Sequence, residues 1–462
     1  MPIEIRNPAA PDQIVATYDE TPDNALDEVV ARARAAQLEW AALPQPERGV
    51  MVTNFVNALE IRSEEIAKSI TKEMGKPLAE ARGEAMKALG EARASVARAN
   101  APIGEVFGSQ IPGTVSYSTR RPRGVILGIN PWNFPFSTPM RKAIPALVYG
   151  NAIILKPASL TPGAVALMAE VAASTLPENL VQAVIGRGAL GQALAEHRGI
   201  DAVSFTGSVE VGKRVATAAA GHLAEVSLEL GGKNPAILND ASDLERVLDQ
   251  ILLAAFAVCG QRCTAVSRVI VHRDIEEAVV SGLAARAAAM EPKDGMIEGA
   301  KIGPLASGQQ LEDVAGFVSR AVSDGAVIAA GGHRFESPGG GYFYAPTILR
   351  GVTRDMEIAR QEVFGPVLSL IAYDTVDEAL SIANDTAFGL SSCLYSERTD
   401  LVERFVAESE SGMLHVNAGS FPENHLPFVG IKDSSMGVGG SNGPSTIQFY
   451  TTEHAVYRRA CV

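Results

Sequence analysis

Hydrophobic and polar positions divide the chain into three stretches. Over the first hundred residues Ala, Ile and Leu recur at three- and four-residue intervals with charges between them. The pattern holds in ALDEVVARARAAQLEWAAL (25–43) and again from Arg62 to about Val96, and it predicts amphipathic helices. After Pro112 the period changes. GTVSYSTRRPRGVILGI (113–129) first alternates, as a half-exposed strand or hairpin does, and then becomes a solid apolar run, as in a strand buried on both faces. From there strands and helices take turns: VILGI, a proline-rich loop, a helix from Met140, strand AIILK, a helix from Gly163 to Ser174, strand VQAVI, a helix from Leu190, strand AVSF, and a helix from Val209 to Ala220. This is an α/β signature with a largely parallel sheet. A second set runs from Gly232 through RVIVH, GAVIAAGG and PVLSLIAYD to about Lys432. The tail from Ser434 is rich in Gly and Ser and reaches IQFYTT, which reads as a strand. No repeat or long flexible linker interrupts the chain, so its domains are expected to pack closely.

Composition narrows the function classes. With 462 residues, 47% hydrophobic and 20% charged, the chain has room for two or three domains. Its 40 Lys and Arg against 53 Asp and Glu, a net charge of -13, argue against nucleic acid or an anionic membrane as the main partner. MPIEIRNPAAPDQ has an acid and a proline where a signal peptide needs basic and then apolar residues, and the apolar stretch near Ile251 is too short for a span, so a cytoplasmic protein is expected. In that compartment Cys259, Cys263, Cys393 and Cys461 stay reduced and form no structural disulfide framework. The seven His are scattered, with no His-Glu-x-x-His and no Cys-x-x-Cys, so no metal is expected.

FAVCGQRCTA (256–265) follows an apolar helical stripe from Leu244 to Phe256, and Gly260 is a natural terminator. Cys263 then falls just past a helix end among Gln261, Arg262 and Thr264, a poor setting for a thiol that only fills core. Cys259, read as lying on the helix, and Cys393 are read as small buried hydrophobes. In VSLELGGKNP (226–235), Val226, Leu228 and Leu230 point one way and Ser227 and Glu229 the other. A carboxylate at a strand end beside two glycines is placed to act as a base.

PWNFP (131–135), FTGSVEVG (205–212), ELGGKNP (229–235), GQRCTA (260–265) and QEVFGPV (361–367), in that order, resemble the aldehyde dehydrogenase superfamily. The resemblance implies an α/β fold of two Rossmann-like parallel-sheet domains plus a β-strand bridging arm: a cofactor-binding domain at 1–103 and 123–231, a catalytic domain at 232–432, and an arm at 104–122 and 433–462. It implies a homodimer or homotetramer. It also assigns Cys263 as the nucleophile that makes an aldehyde carbon tetrahedral, so that hydride can leave without an acylium cation. Asn133 and the Cys263 N–H become the oxyanion donors, and Glu229 the base that hydrolyses the thioester. A carboxylate at 229 favours a free acid over an acyl-coenzyme A product. Arg262 and a bound cationic nicotinamide are expected to raise the reactive thiolate share of Cys263.

GRGALG (186–191) fits a dinucleotide fingerprint, but the resemblance puts the phosphate-receiving turn at Gly207, Ser208 and Val211, with Leu230 nearby. Gly186 to Gly191 are expected beside the adenosine end, Glu362 and Phe364 at the nicotinamide ribose and ring, and Trp132 in the same pocket. Lys156 resembles the lysine at the adenosine ribose. Ser159 stands where many NAD-preferring relatives carry a glutamate, whose charge about 4 Å from a 2′-phosphate would repel it by roughly 4 kcal/mol at an effective dielectric of 20. NADP is therefore favoured, with NAD possible. Arg141, which resembles the carboxylate clamp of the succinate-semialdehyde branch, Arg262 and Phe134 are the expected substrate residues. GQRCTA and QFYTT are similar to the α-ketoglutarate-semialdehyde branch, so the resemblance implies NAD(P)-dependent oxidation of a carboxylate-bearing semialdehyde, succinate semialdehyde first, with α-ketoglutarate semialdehyde the alternative. Uncharged aldehydes, or a non-catalytic binding role on the same fold, are the rival readings. Val429 replaces the first glycine of the usual Pro-Phe-Gly-Gly, and the GVGGSNGP that follows is unusual, so substrate placement and oligomer geometry rest on less than the chemistry does.

Overall fold

The computed structural model describes residues 2–337 and 339–459, so Cys461 lies outside the described residues. Two sheets carry the chain. The first has six strands in the spatial order Ser435–Gly437, Glu225–Glu229, Ala202–Thr206, Val125–Ile129, Ala152–Lys156 and Val181–Ala183, all parallel except the edge strand Ser435–Gly437. Val125–Ile129 and Ala152–Lys156 are almost wholly buried, as expected of apolar runs covered by helices on both faces. The second sheet has seven strands, ordered Val327–Ala330, Thr347–Arg350, Val367–Tyr373, Val266–His272, Asn234–Leu238, Ser391–Tyr395 and Met413–Val416, with only the first pair antiparallel. Each sheet has its own apolar core, the second running from Ala236 to Phe405 in sequence, while Val258 and Ala306 join the first.

Helix Leu26–Ala42 packs on the first sheet, and Gln45–Ile61, Ser63–Met74 and Leu78–Val96 pack on helices Ser137–Val148 and Gly163–Thr175 and on one another. Leu78–Val96 packs along Ser137–Val148 and against two other helices, with Ala81, Ala85, Ala88 and Ala92 among its buried residues. A third sheet stands apart: Thr451–Arg459 pairs with Thr114–Pro122, which pairs with Val106–Phe107. Among the described residues no helix is long and apolar enough to cross a membrane.

Three readings change. The all-helical first hundred residues begin with a hairpin, Ile3–Asn7 with Ala10–Tyr18, whose inward Ile3, Ile5 and Asn7 have the period of a strand. IQFYTT is not one strand: Thr446–Tyr450 is a helix, because Thr446, Phe449 and Tyr450 share a buried face at helical spacing, and the strand starts at Thr451. The segment 433–462 is not all arm, since Ser435–Gly437 completes the first sheet.

Candidate active site

Strand Glu225–Glu229 ends with its last side chain in a cavity of about 740 Å³, reached from the other side by Cys263, in the turn before strand Val266–His272. The nucleophile's peptide is held by Asn234, whose Nδ2 donates to Cys263 O and Ala265 O at 2.8 Å each while its Oδ1 accepts from Ser391 N at 3.1 Å. The glycines between Glu229 and Asn234 are there for close approach. A Cβ on Gly232 would stand 2.5 Å from Cys263 O, and one on Gly231 would stand 2.4 Å from Glu362 Oε2. Helix Leu244–Phe256 stops short of both thiols. Val258 and Cys259 are left-handed, with φ of 58° and 56°, so Cys259 is in a tight turn rather than on the helix as read, although it is buried as expected. Cys259, Cys263 and Cys393 are free thiols, and among the described residues no cluster of ligands suits a metal.

Asn133 is buried in the loop after Val125–Ile129, and its Nδ2 donates to Gln261 O at 2.9 Å. That bond sets the carboxamide against the segment leading into Cys263 and leaves the second amide hydrogen for another acceptor. Burial raises the Glu229 carboxyl to about 8, against the pull of the Ser441 N–H, which donates to Oε1 at 3.4 Å, and of Arg141 and Lys142. Its Oε2 is buried without a partner. Burial, then Glu362, push the Cys263 thiol up to about 12, and Arg141 and Arg262 pull less strongly the other way. The expected activation by Arg262 is therefore outweighed by the protein's own burial and carboxylates.

At the other end of the cavity Gly207 and Ser208 form the turn into helix Val209–Ala220, with Ser208 Oγ accepting from Val211 N at 3.4 Å. Leu230 lines the wall, and Trp132 meets Phe364 edge-on at 5.3 Å. Phe364 has φ +55°, a strained backbone for an aromatic residue, and Gln310 Nε2 holds it by donating to Val363 O at 3.2 Å and Phe364 O at 2.9 Å. Glu362 Oε1 accepts from Gly232 N at 3.0 Å, and burial raises this carboxyl to about 7. The Lys156 ammonium, brought down to about 8 by burial, donates to Pro157 O at 3.0 Å. Ser159 is half-buried and makes no hydrogen bond to it among the described residues. GRGALG crosses into helix Gly188–Glu196, where Gly191 faces the Lys156 stem, so it lies beside this end. A helix N-terminus and a carboxylate in one cleft, with the buried Lys156 ammonium two residues before the lining residue Ala158, fit a dinucleotide.

The sequence model of the aldehyde dehydrogenase family matches residues 1–456. The chain belongs to the aldehyde dehydrogenase family. An α-ketoglutaric semialdehyde dehydrogenase of Bacillus subtilis (strain 168) is 37% identical over 98% of this chain and 94% of its own. A betaine aldehyde dehydrogenase of Cereibacter sphaeroides (strain ATCC 17025) is 35% identical over 99% of this chain and 93% of its own. The solved lactaldehyde dehydrogenase of Escherichia coli superposes with a TM-score of 0.96 at 33% identity, covering 100% of this chain and 96% of that one. The aldehyde dehydrogenase family uses NAD(P).

Beyond Cys263 this aldehyde dehydrogenase gathers cations. Arg141 Nε and Nη2 donate to Glu91 at 2.7 Å each, which leaves Nη1 outside the clamp, and the guanidinium lies 5.0 Å from the Phe428 ring centroid. Lys87 stands 3.7 Å from the same Glu91 and donates to Pro422 O. Arg262 is buried, stacks on Phe421 at 4.3 Å, and gives Nη2 to Thr264 Oγ1 (3.1 Å) and Ser420 O (2.9 Å), both neutral acceptors. Phe134, expected to meet substrate, lines the cavity with its ring under the Lys76 ammonium at 4.1 Å. The Val429 departure has a local cause. Its side chain fills the space that a Cβ on Gly440 would need, and the neighbouring bridge between Phe428 and Ser441 carries Ser441 N to Glu229.

The sequence reading did not single out Lys76, Glu84, Lys87 and Glu91. Their signal was charge at positions 84, 87 and 91 of one helix, at three- and four-residue spacing, with Lys76 just ahead of it between Gly75 and Pro77.

Proposed function

We propose that this chain oxidises a carboxylate-bearing semialdehyde to the free acid, with α-ketoglutarate semialdehyde the favoured substrate and succinate semialdehyde fitting the same chemistry. The carrying observation is the excess of positive charge around one end of the cavity, where Lys87 and Arg141 share the carboxylate of Glu91, and Arg262, with Glu80 as the carboxylate acting on it, gives its hydrogen bonds to neutral acceptors. A distal carboxylate supplies the missing negative charge, and the 2-oxo group of α-ketoglutarate semialdehyde offers one more acceptor to a guanidinium. Resemblance to the α-ketoglutaric semialdehyde enzyme supports this choice. A quaternary ammonium aldehyde would meet like charges, and the Phe421 and Phe428 faces suited to a cation are taken by arginines.

In this reading the Cys263 thiolate adds to the aldehyde carbon, and the Asn133 amide and Cys263 N–H receive the oxyanion. Bound NAD(P) supplies the hydride acceptor and a positive charge near the thiol. Gly207, Ser208 and Lys156 would hold its phosphates and adenosine ribose, and Glu362, Phe364 and Trp132 its nicotinamide end. Glu229 Oε2 then takes a proton from the water that cleaves the thioester on Cys263. NADP is favoured because Ser159 presents no charge to a 2′-phosphate and the Lys156 ammonium lies three residues before it.

The test is kcat/KM for α-ketoglutarate semialdehyde, succinate semialdehyde, propanal and betaine aldehyde, with both cofactors, on the wild type and Arg141→Ala. The acids should lead, and Arg141→Ala should cost them about 100-fold while costing propanal far less. Propanal or betaine aldehyde in the lead, or equal losses across the panel, would defeat the substrate reading. A large NAD advantage would defeat the cofactor preference.

A further inference from the structure

Lys76 and Glu84 form an ion pair with both side chains almost completely removed from water. Such a pair is expensive. Desolvation takes back most of the Coulombic gain, and apolar residues of the same volume commonly serve stability as well or better. What these two charges add is direction, and their other bonds say where. The Lys76 ammonium donates to Asn133 O at 2.8 Å and covers the Phe134 ring at 4.1 Å. Glu84 Oε1 accepts from Phe136 N and Ser137 N at 3.0 Å each, at the start of helix Ser137–Val148, where a negative charge is favoured. One ion pair therefore grips the loop 133–137 by a carbonyl at its front and two amides at its back. The far side of the same loop is the Asn133 amide, fixed to Gln261 O at 2.9 Å. Gln261 is itself tied down, its Oε1 accepting from Ala306 N at 2.9 Å and its Nε2 donating to Val258 O at 3.1 Å.

We propose that the Lys76–Glu84 pair is the positioning device of the oxyanion site, holding the backbone of Asn133 so that its carboxamide meets the oxygen that becomes charged at Cys263. The two residues touch no reacting atom and act through Asn133. The proposal rests on the role assigned to Asn133 above. Charge-assisted bonds suit this task because they are short and roughly twice as strong as neutral ones. Precision matters here because a displacement of about 1 Å at a reacting centre can cost about 100-fold in rate. The link is local in sequence terms as well. Lys76 sits between left-handed Gly75 and Pro77, and Glu84 lies two turns into the following helix, so the device is built from a single helix–helix connection.

The test uses the full-length enzyme with its cofactor and the double variant Lys76→Met/Glu84→Gln, which removes both charges, leaves no lone buried ion, and keeps an acceptor for Phe136 N and Ser137 N. We expect kcat to fall between about 10- and 100-fold, with the melting temperature unchanged or raised. Alkylation of Cys263 by iodoacetamide, which creates no oxyanion, should keep its wild-type rate. In an Asn133→Ala background the same two changes should cost less than about twofold, because residues acting through one group are not additive. An undiminished kcat, a parallel loss of alkylation rate, or a full loss in the Asn133→Ala background would each overturn the proposal. The role of Asn133 fails separately, if Asn133→Ala alone turns over like the wild type. Lys76→Arg serves as a second variant: it keeps a charge partner for Glu84 but moves the donor, so it should remain folded and still be slowed.

Discussion

At the residue scale the sharpest consequence concerns Glu229. Burial sets its carboxyl at about 8, so at neutral pH most of the population carries a proton that a base must already have lost. Raising the pH ionises it, and thioester hydrolysis should accelerate through about pH 8 and level off above. Glu229→Gln should retain the first burst of reduced cofactor, lose about 100-fold or more in steady turnover, and lose that pH dependence. Stopped-flow absorbance between pH 6 and 9 decides the matter; a flat wild-type profile or a variant with normal turnover would remove Glu229 from the role. Cys263 and Glu229 stand out in the sequence as a turn-borne thiol and a strand-end carboxylate beside glycines, while Asn133 and the roles of all three come from the family resemblance; the fold brings the three to one cavity. The thiol's protonation was not legible in the sequence. It depends on Glu362, ninety-nine positions away in sequence, and on how deeply the two sheets bury the turn.

At the element scale helix Leu78–Val96 is the least expected contributor. Read as amphipathic, it buries charges on its inner face: Glu84 fixes the Asn133 loop, Glu91 clamps Arg141, and Lys87 adds a third cation. Periodicity finds such a helix but cannot say which of its charges turn inward, since that is decided by how it packs against Ser137–Val148. Lys87→Met should therefore raise KM for a semialdehyde acid about fivefold at low salt, the order expected of one charge acting across several ångströms in a partly screened site. The effect should shrink as salt is added and be smaller for propanal. An equal change for both substrates would mean that Lys87 only packs. Helix Thr446–Tyr450 is too short for a period to declare itself, and its type is set by what it packs against.

At the scale of the molecule the three-stranded sheet is unfinished. Among the described residues Thr451–Arg459, nine residues long, pairs on one side only, with Thr114–Pro122, and the far side of Thr114–Pro122 is covered by just the two residues Val106–Phe107. Val106 (81% exposed), Phe107, Val115 and Tyr457 (78% exposed) stand on this sheet in the open. Long bare edges with apolar side chains invite pairing, and monomers that persist blunt them with charge, proline or cover. A second copy of the chain is the natural cover, since symmetric closure satisfies both copies with one surface and stops growth. We therefore expect light scattering to give two or four chains per particle at micromolar concentration. Phe107→Asp/Tyr457→Asp should yield smaller particles that melt at lower temperature, because the exposed patch then carries charge that a partner's apolar surface cannot accept. A wild-type monomer, or a charged variant that assembles as before, would mean that this sheet is not where the copies meet.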